Sequence, residues 1–164
     1  MMLQRVQSIF LLLVALAMIL FAVFPLWQKN DVGKSQSAEI TSIYATQYQV
    51  DKSLDTREVI LQKPIFYVAA LAVLAACVAF YSIFRYDNRL LQMKLGALNS
   101  LLIGGTIFLT FWTVREFEPL LAPNTAGIYT YTFYGAIGAL LFNMIANRFI
   151  RRDEQLVKSA DRIR

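Results

Sequence analysis

From Ile9 to Leu26 the chain carries no charged side chain and almost none that is polar. A helix crossing the hydrocarbon core of a bilayer needs about 20 mostly apolar residues. Three further runs approach that length. One is Ile65 to Phe84. The next is Leu95 to Val114, uncharged but holding Asn99, Ser100 and three Thr. The last is Ile128 to Phe142, continuing through Met144 to Ala146. The pattern predicts an all-α four-transmembrane-helix bundle, with spans at about 8–27, 65–84, 95–114 and 128–147. A long polar loop, 28–63, follows the first span, and a charged tail, 148–164, follows the last. At 164 residues one integral membrane domain over 1–164 is expected. Only 16% of the residues are charged, against roughly 25% in an average soluble domain. The first run exceeds the usual 7–15-residue signal core, and Phe24-Pro25-Leu26-Trp27 lacks the small residues of a cleavage site. It therefore reads as a retained helix.

Lysine and arginine set the expected orientation. The N-terminus, the 85–94 connection and the tail share one side. They hold Arg5, Arg85, Arg89, Lys94, Arg148, Arg151, Arg152, Lys158, Arg162 and Arg164. The other side holds six basic residues over a longer stretch of chain: Lys29, Lys34, Lys52, Arg57, Lys63 and Arg115. The positive-inside rule puts both termini in the cytoplasm. The net charge of +5 is then a topology signal, and no nucleic-acid partner is expected. The lipid bilayer is the first partner.

The 28–63 loop is expected to hold a small β-element outside the membrane. Ala38 to Val50 mixes β-branched and aromatic residues with Thr, Ser and Gln, and a strand there would place Ile40, Tyr44, Tyr48 and Val50 on one face. Arg57 to Gln62 could pair with it across the polar connection 51–55. A lone hairpin is marginal, so it should rest on the helices or on a partner.

In lipid, helices associate through small residues and hydrogen bonds. Ala69, Ala72, Ala76 and Ala79 mark one seam on the second span. Gly96, Ser100 and Gly104 mark another, and Gly135, Ala139, Asn143 and Asn147 a third. Asn99 lies at a depth similar to Asn143 and is its expected partner. Trp27, Tyr67, Trp112, Tyr129, Tyr131 and Tyr134 read as an interfacial aromatic belt.

Catalytic chemistry finds little to work with. There is no His, and the single cysteine, Cys77, reads as a small packing residue in an apolar helix. No phosphate-cradling loop, nucleophile elbow or metal-ligand cluster occurs, and Glu116 and Glu118 read as a solvated loop pair. A non-enzymatic protein without a cofactor is expected. The mid-membrane segments lack Asp, Glu, Lys and Arg, which proton-coupled carriers usually need. The tail has helical composition, with Leu156, Ala160 and Ile163 as an apolar stripe. Such a helix could lie along anionic headgroups or dock onto a partner. Topology gathers Gln4, Arg5, Gln7, Arg89, Gln92, Arg148, Arg152, Asp153, Glu154 and Arg162 on one side, a candidate cytoplasmic interaction face.

Three stretches carry a family resemblance. They are Gln4-Arg5-Val6-Gln7-Ser8-Ile9-Phe10, Asn88-Arg89-Leu90-Leu91-Gln92, and Asn147-Arg148 leading on through Arg152-Asp153-Glu154 to Arg164. Together they resemble the DUF4293 family, small four-span membrane proteins of Bacteroidota whose function is unknown. The resemblance implies a bacterial inner membrane, where helical membrane proteins reside, and no activity. The packing seams, the structured outer loop and a cytoplasmic face rich in Arg, Gln and Asn without catalytic geometry lead us to expect a non-catalytic interaction subunit or scaffold with a membrane or cytoplasmic protein partner. The alternative is a small transporter or lipid-handling protein.

Overall fold

The computed structural model describes residues 2–31, 35–51, 56–86, 88–121 and 126–162. Nine elements follow in order: α1 (Met2–Val23), β1 (Trp27–Asp31), β2 (Gln36–Ile40), β3 (Tyr44–Asp51), β4 (Thr56–Pro64), α2 (Phe66–Phe84), α3 (Arg89–Phe117), β5 (Ile128–Tyr129) and α4 (Tyr131–Arg162). All four helices are long and apolar enough to cross a membrane. Each packs against two others, α1 on α2 and α4, and α3 on α2 and α4. The strands gather at one end of this unit, the sheet end, and the long helix α4 leaves from the other, the tail end.

The burial pattern explains why the helices pack as they do. On α1 the buried residues are Gln7, Leu11, Val14, Met18 and Phe21, with Ala15 beside them. On α2 they are Val68, Ala72, Ala75, Ala79 and Ser82, with Ala76 alongside. α3 buries Gln92, Gly96, Asn99, Ile103, Thr106, Thr110, Thr113 and Phe117. α4 buries Phe133, Ala136, Ala139, Asn143, Ala146 and Ile150. The steps are threes and fours, nearly always alternating, which is the seam of helices wound about one another. Small and polar residues are concentrated inward, beside a few large ones such as Met18 and Phe21, while large apolar residues also line the outward faces. Thr106 is fully buried while Leu101, on the same helix, is 72% exposed. Water-soluble helices show the opposite distribution.

The inward threonines are satisfied locally. Thr106 Oγ1 donates to the Leu102 carbonyl and Thr110 Oγ1 to that of Thr106, both at 2.8 Å. Such back-bonding lets a hydroxyl lie inside a helix contact without an orphaned donor. Tyr67 and Thr113 hydroxyls lie 3.1 Å apart and join α2 to α3.

The β-element is larger than the expected hairpin. Five strands form an antiparallel sheet in the order β4-β3-β2-β1-β5. The β3–β4 pairing is the anticipated one. The stretch 38–50, however, is two strands and not one. Thr41 Oγ1 accepts from the Ile43 and Tyr44 N–H groups and turns the chain, and Ser42 Oγ donates to the Ala22 carbonyl at 2.7 Å, pinning the turn to α1. The reversal buries Ile40 and exposes Tyr44, so they do not share a face. The inner sheet face packs Trp27, Ala38, Ile40 and Ala45 against Ile65, Val114, Phe117 and Leu121.

Three further expectations change. Trp27 is not an interfacial anchor: it is 1% exposed, seated under the sheet, where any side chain at Gly127 would strike its ring. Ile128 and Tyr129 are not helical but form β5, pairing with Gln28 and Trp27. The tail is not a separate surface helix, since α4 runs unbroken from Tyr131 to Arg162. At 1.5 Å per residue its 32 residues measure about 48 Å, beyond the roughly 30 Å of a hydrocarbon core.

Candidate functional site

Polar side chains concentrate in the tail-end half of the helices, and the α3–α4 contact holds most of them. Asn143 is fully buried. Its Nδ2 donates to the Gly96 carbonyl and to Ser100 Oγ, both at 2.8 Å, and its Oδ1 accepts from Asn99 Nδ2 at 3.3 Å. One amide thus spends both its donors and an acceptor on the facing helix. The expected Asn99 partner is in place. Gly96 permits the approach, because a Cβ there would collide with the Asn147 amide. Ala139 is fully buried on the same seam.

Gly104 and Gly135 do not belong to it. A Cβ on either would meet nothing within 4 Å. The reason is periodic. Residues four apart on a helix of 3.6 per turn drift by about 40° per step, so a strict four-residue series leaves the interface within two or three steps. Ala136, not Gly135, continues the α4 seam. Cys77 lies off the α2 seam of Ala72, Ala75, Ala76 and Ala79 and is exposed, contrary to the packing role expected of it.

The proposed interaction face divides in two. Gln7 and Gln92 are buried and cannot serve a partner from outside. Gln92 Nε2 donates to the Ser82 carbonyl at 3.1 Å, tying the start of α3 to the end of α2. Arg89, in the first turn of α3, reaches α4 twice: Nη2 lies 3.1 Å from Asp153 Oδ2, and Nη1 donates to the Asp153 carbonyl at 3.3 Å. Asn88 caps α3 by accepting the Leu91 N–H at 3.0 Å. Gln92 and Asn88 fix the start of α3, and the partly exposed Arg89–Asp153 bridge lies beside them. Arg148, Arg151 and Arg152 are exposed, and Glu154 is half-buried. The side chains of Gln4, Arg5 and Arg162 lie outside the described residues.

Four buried polar atoms near this end have no hydrogen-bond partner among the described residues: Gln7 Nε2, Ser82 Oγ, Asn99 Oδ1 and Asn147 Oδ1. Ser82 was not singled out from sequence. Its signal was there, three residues past Ala79 on the alanine face. At the sheet end Glu118 is not simply solvated, since its Oε1 accepts the Gly127 N–H at 3.1 Å.

Helices of spanning length with polar groups turned inward and large apolar groups outward define the class: a polytopic helical protein built for lipid. The chain belongs to the DUF4293 family, a domain of unknown function, whose family model matches residues 3–163. No curated protein matches it.

Proposed function

We propose that this is a multi-pass protein of a bacterial cytoplasmic membrane, with both termini in the cytoplasm, acting as a non-catalytic interaction subunit of a membrane assembly. One observation carries the reading. The polar groups deepest in the helices, Asn99, Asn143 and Thr106, are buried and bonded to neighbouring or local backbone and side chains. Bonding of this kind supports a role in helix packing. At the tail end the exposed polar surface is an arginine group, Arg148, Arg151 and Arg152, with the last turns of α4 beyond it, where Leu156 and Val157 are also exposed. Apolar side chains standing out among bases suit a protein partner's groove.

Deletion of residues 156–164 tests this. The truncated chain should retain its helix content and detergent stability while losing partners captured by cross-linking in native membranes. Recovery of the same partners by a folded truncation would refute docking through the tail.

The four unpartnered atoms favour a second reading, a conduit for a small polar solute entering at the tail end. Glycerol and urea flux into proteoliposomes separates the two. The subunit reading expects rates no faster than those of empty vesicles.

A further inference from the structure

β1 alternates across the sheet. Trp27 and Lys29 are buried, while Gln28 and Asn30 are exposed. Lys29 is only 3% exposed. A lysine is almost never so buried without a counter-charge, because an ammonium taken from water must be paired or heavily hydrogen-bonded. Among the described residues Lys29 makes no ion pair, and its ammonium lies 5.9 Å from the centre of the Trp27 ring. That contact offsets little of the desolvation.

Lys29 borders a cleft of about 570 Å³ where β1, β5 and the first turn of α4 meet. Its walls include Tyr129, Thr130, Tyr131 and Tyr134. α4 has no acidic residue in its first turn, and although the Phe133 N–H is taken up by the Thr130 carbonyl, the helix presents its Tyr131 and Thr132 N–H groups and its positive dipole end at the cleft. Glu118 is the acidic neighbour. Its carboxylate is held by the Gly127 N–H. Burial, then the charge of Glu118 and the neighbouring Tyr134, push the Tyr129 phenol above its ordinary value and keep it a proton donor. The apolar span of α4 begins at Tyr131, which sets the cleft where hydrocarbon gives way to headgroups.

We propose that this cleft binds the phosphate of a membrane phospholipid, with the Lys29 ammonium as its counter-charge. The Tyr129 hydroxyl and the first N–H groups of α4 supply hydrogen bonds, and the lipid's acyl chains run down the outward apolar face of α4.

The full chain in an uncharged detergent would be titrated with short-chain phosphatidylglycerol, with a diacylglycerol of equal chain length, and with inorganic phosphate. Native mass spectrometry and thermal unfolding are the readouts. Phosphatidylglycerol should bind and raise the melting temperature. The diacylglycerol lacks the phosphate and inorganic phosphate lacks the chains, so neither should match it. Lys29→Met should weaken phosphatidylglycerol binding about tenfold or more, the scale of a lost charge-assisted contact. Lys29→Arg should retain it. So should Lys63→Met, which alters the lysine lying over the Phe117 ring, outside the cleft walls. Tyr129→Phe, which keeps the ring, provides a second variant and should weaken binding severalfold. Unchanged binding in Lys29→Met, or in Tyr129→Phe if the first variant does not fold, overturns the site. A melting shift reproduced by inorganic phosphate alone overturns the lipid as its occupant.

Discussion

Asn143 is the residue on which the α3–α4 contact turns. Replacing it with Leu removes two donors and an acceptor and strands Asn99 in an apolar seam. Interhelical hydrogen bonds in membranes are worth about 0.6 kcal/mol on average and up to about 1.7, so Asn143→Leu should cost about 1–3 kcal/mol in detergent unfolding. The glycines separate just as clearly. Gly96→Ala places a methyl against the Asn147 amide and should destabilise by about 1–3 kcal/mol. Gly104→Ala meets open space and should be neutral or stabilising by up to about 1 kcal/mol. Equal melting temperatures for the two variants would dissolve that distinction. Tyr129 sets a pH dependence. Its pKa is raised in the fold by burial, Glu118 and Tyr134, so its contribution is fully present below the unfolded value of about 10 and is lost as pH rises through the folded value. Stability measured from pH 9 to 12 should fall less steeply in Tyr129→Phe than in the native chain.

At the scale of elements, the helices were legible and their seams only partly so. A run of apolar residues announces a span whatever face it buries. When every face is apolar, though, the buried one is marked only by small and polar residues at three-four spacing. Asn99, Asn143 and Ala139 met that rule, and Gly104 and Gly135 broke it. The sheet was half visible. β3 and β4 carry β-branched and aromatic residues, whereas β1 reads Trp-Gln-Lys-Asn-Asp and β5 is two residues long, too polar and too short to signal. Lys29 was hidden for the same reason: on sequence it was one of five bases in the 28–63 loop. The continuity of α4 past the bilayer was also missed, because composition marks where lipid ends and not where a helix does. The Arg89–Asp153 bridge between α3 and α4 is partly exposed. Arg89→Met should therefore cost no more than about 1 kcal/mol, and a larger loss in a thermal unfolding series would give that bridge a structural weight we do not assign it.

The whole molecule has two unlike ends, and its orientation is open to direct measurement. Single cysteines replacing Glu58, exposed on β4, and Ser159, exposed near the end of α4, would be introduced with Cys77→Ser. In intact spheroplasts an impermeant reagent should label position 58 and spare position 159, and the reverse pattern would invert the proposed topology. The sheet also orders events in time. β1 pairs with β5 through Trp27 and Tyr129, about a hundred residues later in the chain. At about 5–20 residues per second of synthesis, β1 would wait some 5–20 s with an open edge. The last strand does not exist until the third helix has been made and the fourth is about to follow. Closing the sheet thus reports that three helices have already been made, and under the proposed topology a polypeptide stalled before Ile128 would present an unpaired β1 edge on the far side of the membrane as a mark of unfinished folding.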